Sequence, residues 1–204
     1  MNATIQQDFF NHLRRTLLGG KISQAQVDGI NAIVASWNKL GNTDDKQQLA
    51  YVLATAFHET AGRLTPVRET LAASDDQAIA RLDHAFQAGR LPQVSKPYWR
   101  KDADGKSWFG RGFVQLTFKR NYQVMSDALG IDLITDPAQA MELAISADIL
   151  VVGMRDGLFS GRKLGHYFQG ERADWQNARR IVNGLDRADV VAGHAKVILA
   201  ALQA

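Results

Sequence analysis

Two carboxylates stand ten positions apart in the stretch AFHETAGRLTPVRET, Ala56 to Thr70: Glu59 and Glu69, with Gly62 and Pro66 between them. A pair of carboxyl groups can run acid–base chemistry when their surroundings drive one to keep its proton and the other to lose it, which is how glycosidic bonds are hydrolysed. Glu59 falls in the last turn of an apolar-periodic segment, where the helix carbonyls disfavour a carboxylate by about 0.3–1 kcal/mol. On the helical wheel it lies beside Val52 at the border of the apolar stripe, so half burial is expected. Both factors favour the protonated form and suit a general acid. Glu69 follows Arg68 in an irregular stretch, where a neighbouring cation favours the ionised form and suits a base. Spacing alone does not decide, because a solvated helix end and a surface Arg/Glu pair leave the same pattern.

Other chemistries fit less well. His58 and Glu59 begin a zinc-protease pattern, but Gly62 stands where the second histidine belongs. DADG, Asp102 to Gly105, starts like a calcium loop, yet Lys106 and Phe113 occupy ligand positions, so a turn is expected. GRG, Gly110 to Gly112, lacks the remainder of any phosphate-cradling motif. The chain has no cysteine, which removes disulfides, thiolate metal sites and a cysteine nucleophile together. A net charge of +3 favours anionic partners such as a cell-wall surface. The basic residues form no single-sign run, so a nucleic-acid partner is not expected.

The elements that must position these residues are mostly helical. Ser23 with Gln26 forms a capping-box pattern, followed by Val27, Ile30, Val34 and Trp37 at helical spacing, which predicts a helix from Ser23 to Leu40 ended by Gly41. Asp44 with Gln47 repeats the device before the stripe Leu49, Val52, Leu53, Ala56 and Phe57, and that helix carries Glu59. A helical piece over DQAIARLDHAFQAGR precedes a long irregular segment through Tyr98, Trp99 and Trp108, which could form a cleft wall or a packed loop. GRGFVQLTF reads as a β segment and NYQVMSDALG as a helix. Asp136 and Pro137 start a further helix, and Met141 to Met154 reads as the buried central one. Two more helices are expected, Asp174 to Val182 and Asp186 to Leu202. At 204 residues these elements suit one domain, 1–204, with no run apolar and long enough to span a membrane.

Several segments resemble the family 19 glycoside hydrolases, a lysozyme-like group of chitinases and phage endolysins. AFHETAG is similar to the family's catalytic-acid segment, and WFGRGFVQLTFKRNY to its aromatic-G-R-G-x-x-Q-L-[ST]-x-x-x-N-Y signature. TDPAQAMELAISADILVVGM resembles the buried helix that follows, and ARRIVNGLDRADVVAGHAKVI the closing segment. The resemblance implies a mainly α, lysozyme-like α+β fold, with a small β element and a cleft between two lobes. It implies Glu59 as the general acid, Glu69 as the base and Thr117 as the group that holds the attacking water. His58, Gln115, Asn121, Tyr122, Asn183 and Trp108 become candidate substrate-binding residues, while Arg111 could be structural. An inverting pair of this kind is expected to stand about 6.5–9.5 Å apart. Ala61, Arg63 and the late position of Glu69 depart from the family pattern.

The expected activity is an N-acetylmuramidase that cuts the β-1,4 backbone of peptidoglycan, as an endolysin does. A chitinase acting on N-acetylglucosamine polymer is the alternative, and an inactive wall-binding protein is the alternative of another class. Neither metal nor organic cofactor is expected. The protein is expected to act as a monomer without stable membrane insertion. MNATIQQDFFNHLRR has no secretory-signal pattern, so a cytoplasmic product that reaches the wall by a holin-type release is expected.

Overall fold

The computed structural model of the chain describes residues 5–41 and 44–204, so the start of the N-terminal stretch read for a signal lies outside the described residues. The architecture is mainly helical: α1 (Gln7–Thr16), α2 (Gln24–Leu40), α3 (Lys46–Glu59), α4 (Asp75–Gln87), α5 (Lys119–Leu129), α6 (Leu143–Asp156) and α7 (Ala188–Gln203). Two short antiparallel ribbons complete it, β1 (Val67–Arg68) on β2 (Arg111–Gly112) and β3 (Phe168–Gln169) on β4 (Arg172–Ala173).

The capping box at Ser23 and Gln26 forms as expected. Gly41 closes α2 with an ordinary φ of −65°, and it is small for a packing reason: a Cβ there would stand 2.8 Å from the Trp37 ring. The cap of α3 is Asp45 rather than Asp44, its carboxylate accepting the N–H groups of Gln47 and Gln48. Residues Leu49 to Ala56 are all buried, because α3 packs on α7 while also touching α2 and α6. Outside the predicted stripe, Ala50, Tyr51, Ala54 and Thr55 are buried as well. α6 is the central helix, buried from Ile149 to Met154 and packed on α2.

Three apolar clusters follow from this packing. The largest joins α1, α2, α3, α6 and α7. A second, of Trp108, Leu116, Tyr122, Met125, Leu133, Ala140 and Ile149, joins α5 to α6. A third, around Leu82, Trp99 and Phe109, holds α4 against the irregular segment. Glu59 ends a helix of the first cluster, and Glu69 precedes the helix of the third.

Two expectations need correction here, and one helix was not expected. GRGFVQLTF is a tight turn rather than a strand: only Arg111 and Gly112 pair with β1, and Arg111 then exchanges backbone hydrogen bonds with Leu116. The helix expected over Asp174 to Val182 shrinks to a 3₁₀ turn, Asn177–Ile181, whose first N–H donates to Asp174 Oδ1. α1 has no counterpart in the sequence reading because it buries only Phe9 and Leu13 of ten residues, a pattern too sparse to stand out.

One close approach positions the loop between the glutamates. A Cβ on Gly29 of α2 would lie 1.7 Å from the Leu64 carbonyl oxygen, so this helix and the loop touch backbone to backbone. Gly29→Ala must push them apart, and a loss of about 1–3 kcal/mol is expected, read by urea unfolding.

Candidate functional site

Glu59 is the last residue of α3, its side chain 18 % exposed, as the half-buried position predicts. The unforeseen feature is its partner: Arg179 Nη1 donates to Oε1 at 2.5 Å. Arg179 is 3 % exposed and its Nε donates to the Asp186 carbonyl, so the guanidinium is fixed from both sides. The helix-end argument considered only the α3 carbonyls, and 120 positions separate the two residues. Among the described residues, only Oε1 of this carboxyl group accepts a side-chain hydrogen bond.

Between the glutamates the chain is pinned at several points. The Thr60 hydroxyl donates to the Ala56 carbonyl and accepts from Leu64 N–H, while Gln26 Nε2 donates to the Gly62 carbonyl. Glu69 then has partners on both oxygens: the Tyr98 hydroxyl donates to Oε1 at 2.6 Å and Gly110 N–H to Oε2 at 2.8 Å. Its own N–H donates to the Gly110 carbonyl. Arg68, expected to pair with Glu69, instead joins Asp75 at 2.5 Å.

Arg111 completes that second ion pair and is structural. Its guanidinium is buried, donating to Asp75, the Ser107 carbonyl and the Tyr122 hydroxyl, and it stacks 3.7 Å over the Phe109 ring. Burial alone would raise the Asp75 carboxyl, but hydrogen bonds and charge from Arg111 and Arg68 outweigh it and hold the group below the usual carboxylate value.

Thr117, Gln115 and Asn121 come together. They line a depression of about 120 Å³ with Phe118, Phe159 and Val182. A Cβ on Gly110 would stand 3.1 Å from the Thr117 hydroxyl and 2.8 Å from Gln115 Oε1, so both side chains crowd the backbone that holds Glu69. Asn183 follows Val182 on the exposed loop next to the Arg179 turn. His58 remains beside Glu59, half-buried, and burial pushes its imidazole below the ordinary value against the pull of that carboxylate.

Tyr122 and Trp108 are not cleft residues. The Tyr122 ring is fully buried, its hydroxyl donating to the Phe109 carbonyl, and burial pushes it up to about 12 despite Arg111. Trp108 is 5 % exposed, packs edge-on against Tyr122 and donates its indole N–H to Asp102. DADG is the expected turn: Asp102 Oδ1 accepts the N–H groups of Asp104 and Lys106.

The backbone around Glu69 is strained. Thr70, Leu71, Gln115 and Phe118 have φ of 61°, 53°, 56° and 71°, a region these side chains rarely enter. Such conformations cost about 1–3 kcal/mol each and persist where their surroundings over-determine them. Arg81 Nη1 supplies part of that restraint by donating to the Thr70 carbonyl. Phe118, 50 % exposed, places its ring edge-on against Tyr98. Arg179 and Gly110 were missed in the sequence: Arg179 stands among other arginines, and Gly110 acts through its backbone.

The sequence profile described as chitinase class I, a glycoside hydrolase 19 domain, matches residues 23–152. No curated protein matches the chain by sequence. The fold is similar to that of chitinase C from Streptomyces griseus, at 17% identity and a TM-score of 0.63, covering 99% of this chain and 77% of that one. It is also similar to a family 19 class IV chitinase from Zea mays, at 15% identity and a TM-score of 0.58, covering 98% and 92%.

Proposed function

Since the chain belongs to the chitinase class I family of glycoside hydrolases, enzymes acting on β-1,4 glycans, we propose that it hydrolyses the glycan backbone of peptidoglycan as an inverting N-acetylmuramidase. The observation that carries the chemistry is the contrast between the two carboxyl groups. Glu59 is gripped on one oxygen by a buried arginine, whereas Glu69 receives a donor on each oxygen beside Thr117.

Glu59 serves as the acid and gives its proton to the glycosidic oxygen as the bond from C1 to that oxygen breaks. A water, held by the Thr117 hydroxyl, attacks C1 from the opposite face while its proton passes to Glu69. Each carboxylate oxygen has two lone pairs, so the Tyr98 and Gly110 donors leave acceptor sites for the water.

The choice of peptidoglycan rests on charge. Arg63, Arg180 and Arg187 are exposed, Arg63 four positions after Glu59, Arg180 next to Arg179 in sequence, and Arg187 near enough to act on the His58 ring together with Asp186. Peptidoglycan carries carboxylates and chitin is neutral, so exposed arginines and a net charge of +3 favour the former. A cysteine-free chain also suits folding in a reducing cytoplasm before release to the wall. Chitin remains the second reading, favoured by the family's description and by the two chitinases of similar fold.

Product analysis separates them. Purified sacculi are expected to yield new reducing-end muramic acid without an anhydro product, and proton NMR of the first products should show the α anomer. Soluble chitooligosaccharides with intact sacculi would assign chitin, and a β anomer would refute inversion. Raising salt from 50 to 500 mM is expected to weaken sacculus binding, since the Debye length shrinks severalfold.

A further inference from the structure

We propose that Tyr98 is a positioning residue for Glu69, its hydroxyl aiming the carboxylate at the attacking water; the proposal rests on the reading of Glu69 as the base. The phenol donates to Oε1 at 2.6 Å across 29 positions of sequence, and Gly110 N–H, 2.8 Å from Oε2, supplies the second fixed point. Two donors on two oxygens fix the plane of a carboxylate, which one alone does not.

The donor is itself held. The Tyr98 ring lies between two others, edge-on to Trp99 at 5.0 Å and to Phe118 at 4.7 Å. Trp99 is fully buried and donates its indole N–H to Asp83 on α4 at 2.8 Å, while its carbonyl accepts the Ser107 hydroxyl. The irregular segment after α4 is thereby anchored where it delivers the hydroxyl. Burial, and then the bond to Glu69, push the phenol well above its ordinary value, so it stays a donor across neutral pH.

The backbone argues in the same direction. Thr70 and Leu71, directly after Glu69, and Phe118, against the Tyr98 ring, all sit at positive φ. Fold stability alone does not call for three strained side chains around one carboxylate. Strain of this kind collects where a side chain must be held to a particular direction.

Tyr98→Phe removes the oxygen and keeps the ring. On glycan strands released from sacculi, or on chitohexaose if product analysis assigns chitin, kcat is expected to fall about 10- to 100-fold, the range for losing a hydrogen bond to a charged group. KM should stay within about twofold, because the hydroxyl faces Glu69 rather than sugar. A double-mutant cycle guards against a purely structural effect: Tyr98→Phe in a Glu69→Gln background should cost nothing further. A multiplicative loss in the double variant, or wild-type kcat in Tyr98→Phe, would overturn the proposal while leaving Glu69 as base. Wild-type turnover by Glu69→Gln would instead overturn the base reading, and this proposal with it.

Discussion

Glu59→Gln is expected to lower turnover about 10²- to 10⁴-fold, the range for loss of a positioned general acid, while glycan binding is retained. Glutamine keeps the size of the side chain and can accept from Arg179 Nη1 through its amide oxygen, so the salt bridge becomes a hydrogen bond without a void. What disappears is the carboxyl group that can take up a proton and deliver it to the glycosidic oxygen. The fall should therefore appear in kcat with KM nearly constant, measured by release of reducing ends, and pull-down on sacculi should match the wild type. Thermal unfolding should move to lower temperature as well, because Arg179, 3 % exposed, keeps a hydrogen bond but loses its counter-charge. Lysis at the wild-type rate would remove Glu59 from the reaction.

Arg111→Met is expected to be the most damaging change to stability outside the apolar core. The guanidinium side chain is 1 % exposed and holds the Asp75 carboxylate, the Ser107 carbonyl and the Tyr122 hydroxyl in one network. Breaking a fully buried ion pair costs about 3–5 kcal/mol, because the remaining charge is left without a partner. Asp75 keeps Arg68 and is 36 % exposed, which places the expected loss at the lower end, about 3 kcal/mol. For a chain of this size that corresponds to a Tm lower by about 6–12 °C.

The pH dependence of that loss has a definite sign. Asp75 has a folded value below its unfolded one, so its contribution is present above about pH 4 and fades as pH falls through the folded value. The gap between variant and wild type should thus narrow in acid, without closing, since Arg111 also holds carbonyl and hydroxyl oxygens. A Tm unchanged at pH 7 would show that the network adds nothing net.

The part of this protein legible in its sequence is the part governed by short range. α2, α4 and α5 show helical patterns, the central α6 is apolar nearly all round, and Ser23–Gln26 is a cap made by two residues three apart. The half burial of Glu59 also follows from its wheel position, and the family pattern in WFGRGFVQLTFKRNY identified the segment that meets Glu69. What failed were inferences that needed a partner. Tyr122 and Trp108 carry polar groups that could face sugar or the core, and the buried Phe109 carbonyl and the partly exposed Asp102 carboxylate took them instead. Arg68 had two carboxylates within reach, and the start of α4 presented Asp75. Tertiary structure alone decided that Arg179 crosses 120 positions to Glu59, and that Tyr98 and Gly110 share Glu69. The physical reason is that a periodic pattern is set by neighbours one turn away, whereas a hydrogen-bond partner is chosen among every group that the packed core brings within about 3 Å.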